Sequence, residues 1–170
     1  MIIRTRWRAS SLLVPEALRR SGDVARFAVW CRERLSLSPD IPGRKLFLSR
    51  ELAKNRRLVN EADVLAALPA GFERVATESM GVREQAVLFS KAAVIVAPHG
   101  AGLTNLLFAR PGALVVELVP AEDPPVTYEH FATLLGHRYR RVPCESVGGG
   151  SHAMVRDKHA DVRAVADALR

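Results

Sequence analysis

The chain has 170 residues, 48% hydrophobic and 25% charged, with a net charge of +7. That is the size and balance of one globular domain with a sizeable core. No apolar run approaches the roughly 18 residues of a membrane helix, Arg4, Arg6 and Arg8 stand where an export signal needs an apolar core, and Cys31 and Cys144 are too far apart for a metal or redox motif.

The expectation is a cytoplasmic protein with two free thiols. The five histidines show no zinc-like grouping, so neither a metal nor a cofactor is expected. Charge is unevenly spread: residues 1–57 hold 14 Lys and Arg against 5 Asp and Glu, and the remainder 11 against 13. A basic arm of this kind suits nucleic acid, anionic lipid headgroups, nucleotide phosphates or simply a solvated face. Aromatic residues make up only 6% of the chain, too few for the stacking platforms of single-stranded nucleic acid, so nucleic acid is not favoured and peripheral membrane contact stays open.

Residues 1–13 show no clean period, and 15–20 read as one helical turn or two. Asp23 is placed as the N-cap of a helix over 24–35, whose inner face is Val24, Phe27, Ala28, Cys31 and Leu35. A loop over 36–44 carries Pro39, Pro42 and Gly43. Residues 45–49 form a strand with Arg50 at its carboxyl end. Asn60 reads as an N-cap, with Asp63 at a capping-box position, for a helix over 61–68 that ends before Pro69 and Gly71. A strand over 72–77 follows. Gly81 then opens a helix to about residue 91, with Glu84 in the first turn and Val82, Ala86 and Phe89 inward. Gln85 falls on the same stripe and needs hydrogen-bond partners there.

The stretch 93–105 organises the rest. Residues 93–97 are apolar and β-branched, as in a fully buried strand. Pro98 ends it by removing a ladder donor. Gly100 and Gly102 permit close approach to the backbone, and a helix is expected over 103–109. Such a turn gathers unpaired N–H groups at one spot, which suits a phosphate; a tight turn without a ligand has the same spacing. His99 alone reads more readily as a hydrogen-bonded structural histidine than as a catalytic one. Residues 113–118 form another buried strand, and Glu117 inside it is costly unless partnered. A helix over 128–135 capped by Gly136, a strand over 138–142, a glycine-rich loop over 147–151 and a helix over 161–169 complete the order.

Regular strand–helix alternation predicts an α/β fold: a Rossmann-like parallel sheet with helices on both faces. Ligands in such folds bind outside the carboxyl ends of the strands. Arg50, the segment Pro98 to Gly102, and Glu117 all lie at that edge. Two cationic groups and a helix start suit a diphosphate, and a carboxylate suits ribose hydroxyls.

The ordered set Ser49-Arg50, Arg56-Arg-Leu-Val-Asn60-Glu61, Gly71-Phe72, Glu84-Gln85-x-x-Leu88-Phe89, Ala97-Pro-His-Gly-Ala-Gly-Leu-Thr-Asn105, Phe108 and Val116-Glu117-Leu118 resembles glycosyltransferase family 61. The resemblance runs from about Lys45 to Val142. It implies the donor-binding, C-terminal half of an inverting, metal-independent GT-B enzyme that uses a nucleotide sugar and a glycan or polysaccharide acceptor. A bacterial surface-polysaccharide role is the expectation. By the same resemblance, Arg50 and Arg56 neutralise the diphosphate, Asn60 orders their loop, and His99, Gly100, Ala101 and Gly102 form the donor loop. Thr104 and Asn105 follow in the first helical turn, Glu117 holds the ribose and Gln85 supports from behind. Arg50 and His99 are the expected catalytic pair.

The expected division is a basic segment over 1–44, contributing a hinge and packing helix, and a nucleotide-sugar-binding domain over 45–170. The acceptor-binding domain of such enzymes, with its general base, is longer than 44 residues, so this chain is expected to be a fragment, a truncated gene product or one half of a split enzyme, its N-terminal acceptor domain missing or separate. A non-catalytic nucleotide-sugar-binding module is the alternative. A hydrolase built on His99-Gly-Ala-Gly, Ser151, Asp157 and His159 is weaker, because Ser151 lacks a preceding buried strand and the final glycine of a nucleophile elbow.

Overall fold

Alternate residues of the central strands part into two apolar sets, and each set is covered by its own helices. The computed structural model describes residues 21–37, 41–148 and 155–170; the readings on 1–13, 15–20 and 149–151, Ser151 among them, lie outside these. Six strands, β1 (Arg44–Leu48), β2 (Phe72–Val75), β3 (Ala92–Pro98), β4 (Leu114–Pro120), β5 (Arg138–Val147) and β6 (Asp157–Ala160), form one sheet in the order β2-β1-β3-β4-β5-β6. The first five are parallel, and β6 runs antiparallel along β5.

On one face Leu46, Leu48, Ile95, Ala97 and Val115 meet α1 (Ser21–Arg34), α3 (Val82–Ser90), a 3-10 helix (Ala101–Leu107) and α4 (Thr127–Leu134). On the other, Phe47, Val96, Val116, Leu118 and Val142 meet α2 (Glu61–Ala67) and α5 (Val162–Asp167). Phe47, Phe89, Ile95 and Leu103 are fully buried, each contributing roughly 1.5–3 kcal/mol of transfer free energy. The α/β expectation therefore holds, with a mixed rather than wholly parallel sheet.

The chain leaves β1 towards β2 and returns through α3 to β3 on the other side of β1. That reversal falls at the carboxyl ends of β1 and β3, the position at which an open α/β sheet receives a ligand. Arg50 follows β1, and His99 to Gly102 follow β3.

Several local expectations need correction. Asp23 lies inside the first turn of α1, where it pairs with Arg26, and does not cap the helix. Phe27 is half exposed and stacks on Trp30 with ring centroids 5.8 Å apart. The buried residues of α1 are Ala28 and Cys31, whose small volumes let the helix sit close to α4. Val82 stands exposed at the start of α3, while Ala86, Leu88 and Phe89 turn inward. Glu84 does accept from the Gly81 N–H at 2.7 Å. Residues after Gly100 adopt 3-10 geometry, not the expected α-helix. Asn105 donates its side-chain amide to the Gly102 carbonyl at 3.1 Å, a local bond of the kind that competes with α-helical pairing. β6 was not expected at all.

Candidate functional site

Arg50 leaves β1 and lies across Gly100: a Cβ on that glycine would collide with the Arg50 guanidinium. Gly100 has φ 169°, an extended backbone open to any residue. The glycine is therefore needed for space and not for its torsion. Gly102 is likewise close-packed, its absent Cβ facing Thr77 Oγ1 at 3.2 Å and Leu48 at 3.5 Å. These two contacts bring the ends of β1 and β3 together.

Arg50 donates to the Asn55 carbonyl at 3.3 Å, while its Nε is buried without a partner. Burial, then the neighbouring Arg56, push its guanidinium below the ordinary value; Glu78 and Tyr128 oppose them. The Nε of Arg56 is also buried and unpartnered. Among the described residues neither arginine is in an ion pair with a carboxylate. Arg56 has φ 59°, in the left-handed region, a conformation that costs a non-glycine residue energy and clusters at functional sites.

The segment after Arg56 is fastened to β6. The Val59 N–H donates to the Lys158 carbonyl and the Lys158 N–H to the Arg57 carbonyl, each at 2.8 Å. Arg57 binds the Asp157 carboxylate at 2.8 Å. Asn60, expected as a helix cap, makes no cap bond. Its buried amide grips both backbone groups of Ala160, donating at 2.9 Å and accepting at 3.0 Å. Asn60 thus ties the segment after the two arginines to β6, a strand the sequence did not reveal.

Beyond β3, Gln85 donates to the carbonyls of Thr77 and Met80 at 3.0 and 2.9 Å and accepts from Asn105 at 2.7 Å. Asn105 is therefore turned inward, tying the 3-10 helix to α3. Thr104 and Ala101 stay exposed at the mouth, with Thr104 Oγ1 3.5 Å from the Tyr128 hydroxyl. Helix geometry leaves the first N–H groups of the 3-10 helix, those of Ala101 and Gly102, without carbonyl partners in the helix.

His99 is buried, and its Nδ1 lies 2.5 Å from Glu117 Oε1. Tyr128 packs on the ring at a centroid distance of 5.3 Å. Glu117 is wholly buried, and its second oxygen accepts from the Tyr139 hydroxyl at 2.5 Å. The sequence reading placed Glu117 at a ribose; in the structure both its oxygens are engaged within the protein. Arg56, Pro98, His99, Pro120 and Lys158 line one narrow gap, so Arg56 and His99 face the same space.

Tyr128, Tyr139 and Lys158 were not singled out from the sequence. An acid inside an apolar strand announces that it has a partner, but only the β4–β5 register brings Tyr139 within reach. Of the hydrolase residues that are described, Asp157 is taken by Arg57 and His159 is exposed on β6. No group of three or more His, Cys, Asp and Glu side chains among the described residues is arranged for a metal ion.

The sequence profile of the family Glycosyltransferase 61 matches residues 7–116. The EGF domain-specific O-linked N-acetylglucosamine transferase of Drosophila melanogaster is 35% identical over 127 residues, covering 71% of this chain and 24% of that protein. The human protein O-linked-mannose beta-1,4-N-acetylglucosaminyltransferase 2 is 34% identical over 118 residues, covering 66% of this chain and 20% of that one. The zebrafish (Danio rerio) protein of the same name is 30% identical over 119 residues, again covering 66% and 20%. The chain thus spans about a quarter or less of these relatives' lengths. The profile match reaches from before α1 into β4 and takes in the arginine loop and the His-Gly-Ala-Gly turn: the chain belongs to glycosyltransferase family 61.

Proposed function

We propose that the chain is the nucleotide-sugar-binding half of an inverting, metal-independent glycosyltransferase of GT-B type. It would deliver a sugar to a hydroxyl of a glycan or polysaccharide. The carrying observation is the pair Arg50 and Arg56, buried at Nε without partners and free of carboxylate ion pairs among the described residues. Two such cations at the β1/β3 reversal fit a diphosphate, and fork-shaped guanidinium groups match phosphate oxygens well.

In the transfer the acceptor oxygen bonds to the anomeric carbon while the bond from that carbon to the diphosphate oxygen breaks. The electron pair departs with the diphosphate, and the hydroxyl proton goes to a base supplied by an acceptor-binding domain outside these 170 residues. Arg50, Arg56 and the N–H groups of Ala101 and Gly102 stabilise the charge that develops on the leaving group. His99 lies at the same mouth.

The relatives' names point to N-acetylglucosamine, which makes UDP-N-acetylglucosamine the first donor to test. Bacterial surface-polysaccharide synthesis at the inner face of the membrane is the setting proposed, supported by the basic balance of residues 1–57. The test is the melting temperature of the 170-residue chain against a panel of nucleoside diphosphates and nucleotide sugars. Ligand at 100 times its Kd stabilises by about 2.7 kcal/mol, or roughly 5–10 °C at this size. Arg50→Ala should abolish the shift, and an unchanged shift in that variant overturns the reading. A shift without turnover when an acceptor domain is added in trans would favour a non-catalytic binding module.

A further inference from the structure

We propose that Glu117 and Tyr139 are positioning residues that act through His99: they fix a proton on Nδ1 and present Nε2 to the ligand, which Glu117 itself does not touch. The carboxylate is wholly buried in β4, with Oε1 2.5 Å from His99 Nδ1 and Oε2 2.5 Å from the Tyr139 hydroxyl. An ionised carboxylate only accepts, so both neighbours must donate: the phenol its O–H, the imidazole its Nδ1–H. Burial, then the Glu117 carboxylate, push the Tyr139 phenol well above its ordinary range, so it keeps its proton. A ribose hydroxyl could reach Glu117 only by displacing one of these donors from a closed interior.

With Nδ1 committed, Nε2 is the hydrogen-bonding atom the ring has left, and no partner for it occurs among the described residues. The ring cannot swing readily, because Tyr128 packs on it and Pro98 and Pro120 flank it. The other titratable or charged groups around it are Arg56 and Lys158 across the gap, Tyr128 of α4, Arg50 over Gly100, and Arg141, the register partner of Glu117. This is the logic by which a buried carboxylate orients a histidine in unrelated active sites.

The test has two arms, and only the second rests on the donor-site reading. Nitrogen-15 histidine NMR of the free 170-residue chain should show His99 protonated at Nδ1, with that proton protected from exchange. Glu117→Gln should remove the protection and Tyr139→Phe should shift the signal. An Nε2-protonated tautomer, or a signal indifferent to both variants, overturns the proposal. If Glu117→Gln does not fold, Tyr139→Phe, which keeps the carboxylate, decides this arm.

The second arm measures the Kd for UDP in wild type, Glu117→Gln, His99→Ala and the double variant. Glu117→Gln should weaken binding about tenfold in wild type and less than about twofold once His99 is alanine. An equal loss in both backgrounds would mean that Glu117 contacts the ligand directly and would overturn the proposal. If wild type binds no UDP, the UDP donor assignment fails, while the NMR arm still decides the role of Glu117.

Discussion

Arg56 holds a left-handed backbone, φ 59°, at the position where its side chain faces the crevice. For a non-glycine residue that conformation costs on the order of 1 kcal/mol or more, and the bonds from Arg57 to Asp157 just beyond it keep the segment in place. Glycine relieves the cost and alanine does not. Arg56→Gly should therefore be more stable than Arg56→Ala by about 1 kcal/mol in urea denaturation, while both weaken UDP binding alike. Equal stabilities would show that the backbone is not strained. Gly100 is the converse case, a residue fixed by space. Gly100→Ala fits the extended backbone but drives a methyl into the Arg50 guanidinium. UDP affinity should fall towards that of Arg50→Ala with little change in melting temperature. In the Arg50→Ala background Gly100→Ala should have no further effect, which separates displacement of the arginine from general damage to the loop.

At the scale of elements, the arginine loop depends on β6 more than on the helix that follows it. Asn60 satisfies both the N–H and the carbonyl of Ala160 with a side chain that is itself buried. Asn60→Ala removes two hydrogen bonds and leaves two backbone groups without partners, a loss of about 2–4 kcal/mol. Asn60→Asp keeps the acceptor and loses the donor, so its loss should be intermediate in the same denaturation series. If Asn60 were merely a helix cap, aspartate would serve as well as asparagine, and that result would discount the latch. The same element marks how far the sequence was legible. Arg50, His99 and the glycine turn were readable because they sit at strand ends, where local chemistry shows itself. Gln85 was readable as a polar residue on a buried stripe. β6 was not, because its buried positions are Lys158 and Ala160 and its others are charged or polar; no alternation of apolar and polar residues announces it. Asn60 was read as a cap for the same reason, since a local motif carries no information about a partner 100 residues away. Inferring a parallel sheet from strand–helix alternation succeeded for the five strands joined by helical crossovers and failed at the one that follows its neighbour without a helix.

For the whole molecule, buried titratable groups set the pH range over which the fold is stable. His137 is buried, with Nε2 at 3.2 Å from the Leu106 carbonyl and Nδ1 without a partner. Burial first, and Arg32 further, push its pKa below 6.5, while the Leu106 bond opposes them. The unfolded chain then binds the proton more readily, so stability is complete above about pH 6.5 and declines as pH falls below it. Asp157 adds a second acid step: its bonds to Arg57 hold it below 3.8, so its contribution is present above that value and lost beneath it. On the alkaline side burial pushes the Cys144 thiol from 9.0 up to about 12. The unfolded thiol ionises first, so stability declines as pH rises through that interval. Urea denaturation across pH should therefore show a plateau between about 6.5 and 9 with a fall on each side. His137→Gln, which retains a donor for Leu106, should flatten the first part of the acid fall and leave the alkaline side alone. Cys144→Ala should lower stability overall through lost packing yet remove the decline that begins near 9. If His137→Gln leaves the fall below pH 6.5 unchanged, His137 is not its source, and the carboxylates held below their ordinary values, Asp157, Glu73 and Glu122 among them, would have to carry the acid transition.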